Sequence, residues 1–88
     1  MEGARILAVD HDPAVRRLVE ITLGADGFDV DVAANANEAW TVLRHRGRPD
    51  LVLTRLERPI DLAKLRAAVR TAIALKRRER QLARGEQR

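Results

Sequence analysis

Cysteine is absent from this 88-residue chain, which rules out disulfides and thiolate metal sites. Its two histidines, His11 and His45, stand too far apart in sequence for a zinc site, so no metal and no cofactor is expected. Aromatic residues are almost missing: no Tyr, one Phe and one Trp. No apolar run approaches the roughly 20 residues of a membrane-spanning helix. The first residues also lack the apolar stretch of a secretory signal. A soluble, cytoplasmic protein is therefore expected. The length suits one small domain that buries roughly 60–65% of its unfolded surface, a margin that oligomerisation commonly supplements.

What is present is charge, unevenly placed. The net charge is +4, yet residues 1–75 balance exactly as many Lys/Arg as Asp/Glu. The whole excess sits in residues 76–88, where Lys76, Arg77, Arg78, Arg80, Arg84 and Arg88 face only Glu79 and Glu86. The expected organisation is a neutral domain, 1–75, followed by a basic helical extension, 76–88.

Arg5-Ile-Leu-Ala-Val9 is too short for a helix and reads as a strand buried on both faces. Asp12-Pro13 opens a helix, with Val15, Leu18, Val19 and Leu23 at amphipathic spacing and Gly24 and Gly27 at its end. Phe28-Asp-Val-Asp-Val32 alternates like a half-exposed strand. Asn35 or Asn37 caps a second helix to about Arg46, with Ala39, Trp40, Val42 and Leu43 as candidates for its buried side. Asp50-Leu-Val-Leu-Thr54 is a third short strand, and Glu57-Arg-Pro-Ile60 a turn. Asp61 caps a last helix striped by Leu62, Leu65, Val69, Ala72 and Ile73. The order β-α-β-α-β-α predicts an α/β fold with a parallel sheet and right-handed crossovers.

Three segments carry a resemblance. Ile6-Leu-Ala-Val-Asp-His-Asp-Pro13, Gly27-Phe-Asp-Val-Asp-Val-Ala-Ala-Asn35 with Glu38-Ala-Trp40, and Arg48-Pro-Asp-Leu-Val-Leu53 resemble the first three strands of response-regulator receiver domains, in register. Leu56-Glu-Arg-Pro-Ile-Asp-Leu62 is similar to that family's later motif at the fifth strand and fifth helix. The resemblance implies a truncated flavodoxin-like receiver in which the third helix to the fifth strand are missing, with a three-stranded sheet ordered 2-1-3.

It also implies a degenerate site. The family's phosphoacceptor Asp is matched by Arg55, whose guanidinium cannot act as a nucleophile and would repel Mg²⁺. Of the acidic residues, Asp10 and Asp12 are kept, but the position of a direct metal ligand holds His11, and imidazole is a poor Mg²⁺ ligand. The switch Thr/Ser lies on a missing strand, and Arg58 replaces the phosphate-contacting Lys. Aspartyl phosphorylation is not expected, and no nucleophile–base pair suggests an enzyme. Arg55 is a candidate to pair with Asp10 in place of a metal. Asp12 reads as a helix cap, and His11 reads as an exposed loop residue or a pH sensor. For Trp40 a core or interface-edge role stands beside a partner anchor.

With the central strand turned into an edge, Leu51, Val52 and Leu53 are expected to pair with a second copy, extending the sheet across a homodimer. Swapping of the last helix is a variant. Arg16, Arg17 and Val19 on the first helix, with Lys64, Arg66 and Arg70 on the last, form a candidate surface. Its implied partner is a histidine kinase, a phosphotransfer protein or another response regulator. The tail residues Lys76, Arg77, Arg78, Arg80 and Arg84 are either a solvated helix end, a helix towards a partner, or a nucleic-acid contact. No membrane partner is expected.

Overall fold

The computed structural model describes the backbone of residues 3–86 and the side chains of residues 3–82. Six elements follow the expected order: β1 (Arg5–Val9), α1 (Pro13–Ala25), β2 (Asp29–Ala33), α2 (Ala36–Arg46), β3 (Leu51–Leu53) and α3 (Leu62–Glu86). The strands form one parallel sheet ordered β2-β1-β3. This is the α/β arrangement of a truncated flavodoxin-like fold.

Local chemistry sets the boundaries. The Asp12 carboxylate accepts the Ala14 N–H at 2.9 Å, and Pro13 occupies the first helical position, where its missing donor is harmless. Asn35 caps α2 by accepting the Glu38 N–H at 3.0 Å, while the Glu38 carboxylate accepts the Ala34 N–H at 2.8 Å. Gly47 closes α2 at φ 77, a left-handed conformation that costs glycine least. Asp61 caps α3 through the Lys64 N–H at 3.2 Å.

The sheet has two unlike faces. Ile6 and Ala8 of β1 point to a core built with Val15, Val19 and Leu23 of α1, Phe28, and Leu65, Val69 and Ile73 of α3. α3 packs beside α1 of its own chain. Leu7 points the other way, beneath α2, and is also fully buried.

Two expectations are corrected. Val19 is 0% exposed, because it lies on the stripe of α1 that meets the sheet, so it cannot serve a partner surface. Trp40 is 62% exposed, and α2 has no buried residue at all. Ala39, Val42 and Leu43 are half-buried. Each helical residue turns about 100° from the last, so Trp40 stands side-on when Ala39 faces the sheet.

Candidate functional site

The C-terminal ends of β1 and β3 and the turn before α3 meet in an open cleft. It is lined by Val9, Asp10, His11, Ala34, Thr54, Arg55, Leu56 and Arg58. The expected degenerate-site residues Asp10, His11, Arg55 and Arg58 therefore share one wall, while Asp12 sits behind them as the cap of α1. Asp10 is the buried charge here, held where β1 ends by its N–H donating to the Ala33 carbonyl at 3.0 Å.

Asp10 Oδ1 accepts two hydrogen bonds, from the Asp12 N–H at 2.9 Å and from Arg58 Nη2 at 2.7 Å. The Asp12 N–H does most to hold the Asp10 carboxyl below the usual range; burial opposes it, and Arg58 adds to the lowering. The cation that meets Asp10 is thus Arg58 rather than Arg55. Arg58 is aimed by its own Nη1, which donates to the Leu56 carbonyl at 3.1 Å. Arg55 instead occupies a left-handed turn at φ 54, just after β3. His11 is 90% exposed in its side chain, with Nδ1 3.8 Å from Asp10 Oδ1, as a loop residue would be. Among the described residues, no group of three His, Cys, Asp or Glu converges as metal ligands would.

The candidate partner surface divides. Arg16 donates to the Asp10 carbonyl at 2.8 Å and so braces the loop, while Arg17 is exposed. Arg66 grips Asp26 through two hydrogen bonds of 2.8 and 2.7 Å, and Arg70 approaches it at 3.6 Å. Arg66 is the main reason the Asp26 carboxyl titrates below its ordinary value. These pairs fasten α3 to the end of α1 and leave the exposed Lys64 beside them.

The basic tail divides too. Lys76 Nζ donates to the Asp50 carbonyl at 2.6 Å, and Arg80 Nη2 lies 3.0 Å from Asp50 Oδ1. Arg77 and Arg78 are exposed. Arg84 and Arg88 lie outside the described side chains. Asp50 is a hub that sequence reasoning missed: its Oδ2 also accepts the Arg5 N–H at 2.8 Å, the main cause of its lowered pKa. A second missed group is the cluster of Asp29, Asp31, Arg46 and Arg5. Arg46 bonds Asp29 at 2.6 Å and Asp31 at 2.7 Å, and Arg5 reaches Asp31 at 3.4 Å. The alternation Asp29-Val-Asp31 was the available signal, since it sets both carboxylates on one face of a strand.

The fold and the cleft define an open-sheet α/β module whose acidic corner is closed by an arginine. No family model matches the chain. It is similar, at 44% identity over 55 residues, to the DNA-binding response regulator MtrA of Mycolicibacterium smegmatis, covering 62% of this chain and 24% of that protein. It is 42% identical over 59 residues to the transcriptional regulatory protein AruR of Pseudomonas aeruginosa, covering 62% of this chain and 24% of that one. The response regulator Rre1 of Synechocystis sp. matches at 44% over 59 residues, covering 66% and 25%. The chain is a relative of the response regulators, as its motifs indicated, and it spans about a quarter of the length of these relatives. Among the described residues, no helix is long and apolar enough to cross a membrane.

Proposed function

We propose that this chain is a non-phosphorylatable receiver-like module of two-component or phosphorelay signalling, acting by protein–protein contact and without catalysis. One observation carries the reading: Arg58 holds the only buried carboxylate of the cleft, and Arg55 follows β3 where a phosphoacceptor would stand. A hard cation at Asp10 would have to displace a guanidinium at 2.7 Å. The test is incubation with acetyl phosphate and Mg²⁺, followed by intact mass. No phosphoryl adduct is expected, and a hydroxylamine-sensitive adduct, the mark of an acyl phosphate, would overturn the reading.

The partners that suit it are a histidine kinase, a phosphotransfer protein or another response regulator, met through Arg17 and Lys64 at the outer edge of α1 and α3. Residues 1–75 are the folded unit in this reading, with 76–88 as its basic extension. We also propose that β3 pairs with its counterpart in a homodimer. Asp50 donates its N–H to Arg5 of β1 at 2.8 Å. Within β3 the register pairs Leu7 with Val52, and β1 turns Leu7 towards β3, so Leu51 and Leu53 bond β1 while Val52 presents its N–H and C=O groups to the open side. Light scattering across a concentration series should show twice 9.9 kDa; a constant monomer would refute the dimer.

A second reading rests on the exposure of Arg77 and Arg78: a nucleic-acid contact along the end of α3. A salt-dependent mobility shift supports it, and no shift at low salt removes it.

A further inference from the structure

We infer that Trp40 is an interface residue, and that in a dimer of two copies joined along β3 the indole of each protomer fills a trough over the paired strands. This rests on the edge-strand dimer proposed above and adds what covers its second face.

The geometry follows from handedness. α2 packs over β2 and β1 and leaves β3 bare. Its half-buried residues Ala39, Val42 and Leu43 fix the direction that faces the sheet. Arg46, which bonds Asp29 and Asp31, marks the flank turned towards β2. A right-handed helix running back across a right-handed β-α-β crossover places the residue after Ala39 about 100° round, on the opposite flank. Trp40 therefore overhangs the β3 side. Below it on the same face, Val52 is 49% exposed, in register with the buried Leu7. The two large exposed apolar residues of this face thus border the open edge.

A second copy is the occupant that answers the apolar surface and the backbone together. The outward groups belong to Val52, so an antiparallel pairing centred on it gives one hydrogen-bonded pair, Val52 with its own counterpart, which exchange both N–H···O bonds. The two Val52 side chains then stand opposite one another on the same face, with Leu51 opposing Leu53 of the other copy on either side. Strands lie about 4.8 Å apart, which sets the two α2 axes about 19 Å from one another across the two-fold. Helices about 10 Å across leave a trough about 9 Å wide, lined by both Val52 side chains. Each Trp40 reaches into it from its own wall, and two indoles supply the bulk that closes it.

The full-length chain carries its own probe, because Trp40 is the single Trp and there is no Tyr. Emission and light-scattering mass are followed together over a dilution series, for the wild type, Trp40→Ala and Val52→Asp, with circular dichroism to verify folding. The expected result is a blue shift of emission with the same midpoint as dimer formation, both lost in Val52→Asp, whose like charges would stand directly opposed. Trp40→Ala should stay folded and weaken the dimer about tenfold or more. A dimer that keeps the emission of a water-exposed indole, and is unaffected by Trp40→Ala, overturns the inference while the edge-strand dimer stands. A dimer that survives Val52→Asp overturns the pairing geometry, and a monomer at every concentration overturns both readings.

Discussion

The two faces of the sheet are stabilised by different physics. On the α1 and α3 side, Ile6, Val19, Leu23, Val69 and Ile73 are all 2% exposed or less, and the contact is dry and aliphatic. On the α2 side only Leu7 and the small Ala33 reach that degree of burial, and much of the join is ionic, through Arg46, Arg5, Asp29 and Asp31. Three helices over three strands leave one face fully roofed and the other half-roofed. The roofed face supplies most of the free energy, while the half-roofed face supplies the surface through which the protein is proposed to meet another copy.

The sharpest way to break this contrast is a matched pair of truncations. Ile73→Ala empties a closed site and should cost about 2–5 kcal/mol, as large-to-small changes in dry cores do. Val52→Ala, on the half-roofed face, should cost under about 1 kcal/mol at dilutions where the protein is monomeric. Urea unfolding of the two variants checks both. Equal losses would mean that the face under α2 is as well packed as the other.

The next effect lies at the rim, where the faces meet. Arg58→Ala leaves the buried Asp10 carboxylate with the Asp12 N–H as its remaining hydrogen-bond donor among the described residues. Removing one side of a buried charged pair should cost about 1–3 kcal/mol and raise the Asp10 pKa. Arg55→Ala should do neither, because Arg58 makes the ion pair. NMR titration of Asp10 in both variants distinguishes the two arginines directly.

Acid should act mainly through the charged contacts. Asp10, Asp26, Asp29 and Asp50 all titrate below their ordinary value in the fold. A depressed carboxyl contributes stability that is complete above its unfolded pKa and is lost as pH falls through the lower folded one. Stability should thus hold at neutral pH and decline below about pH 4. Asp50→Asn should flatten that decline and loosen the end of α3 at Arg80, which pairs with the carboxylate, while Lys76 keeps its bond to the main-chain carbonyl; a decline of unchanged slope would remove Asp50 from the account.

Much of this was legible in the sequence, for reasons tied to particular residues. The four consecutive apolar residues Ile6 to Val9 could only be a strand roofed on both sides, and Asp12-Pro13 and Asn35 marked helix starts that the structure confirms. The apolar stripe Leu65, Val69 and Ile73 is the face α3 buries. What failed depended on angle and distance. Trp40 shares its stretch with Ala39 and Val42, but a right angle round the helix separates it from the sheet. Arg55 and Arg58 lie three residues apart in one turn, and only the path of the backbone decides which reaches Asp10. The Asp50 hub joins residues 26 to 45 positions away, beyond any local pattern.

The smallest effect concerns that turn. A non-glycine residue at φ 54 pays the left-handed penalty, about 1–2 kcal/mol for a side chain with Cβ. Arg55 is exposed and makes no ion pair among the described residues, so its side chain returns little. Arg55→Gly relieves the backbone but frees the unfolded chain, and the net should be a gain of under about 1 kcal/mol. Asn tolerates the same region through its short polar side chain, so Arg55→Asn should fall between the two. A melting temperature that drops for both would show that Arg55 holds the cleft through its side chain, and would tie the end of β3 to the roofed face of the sheet.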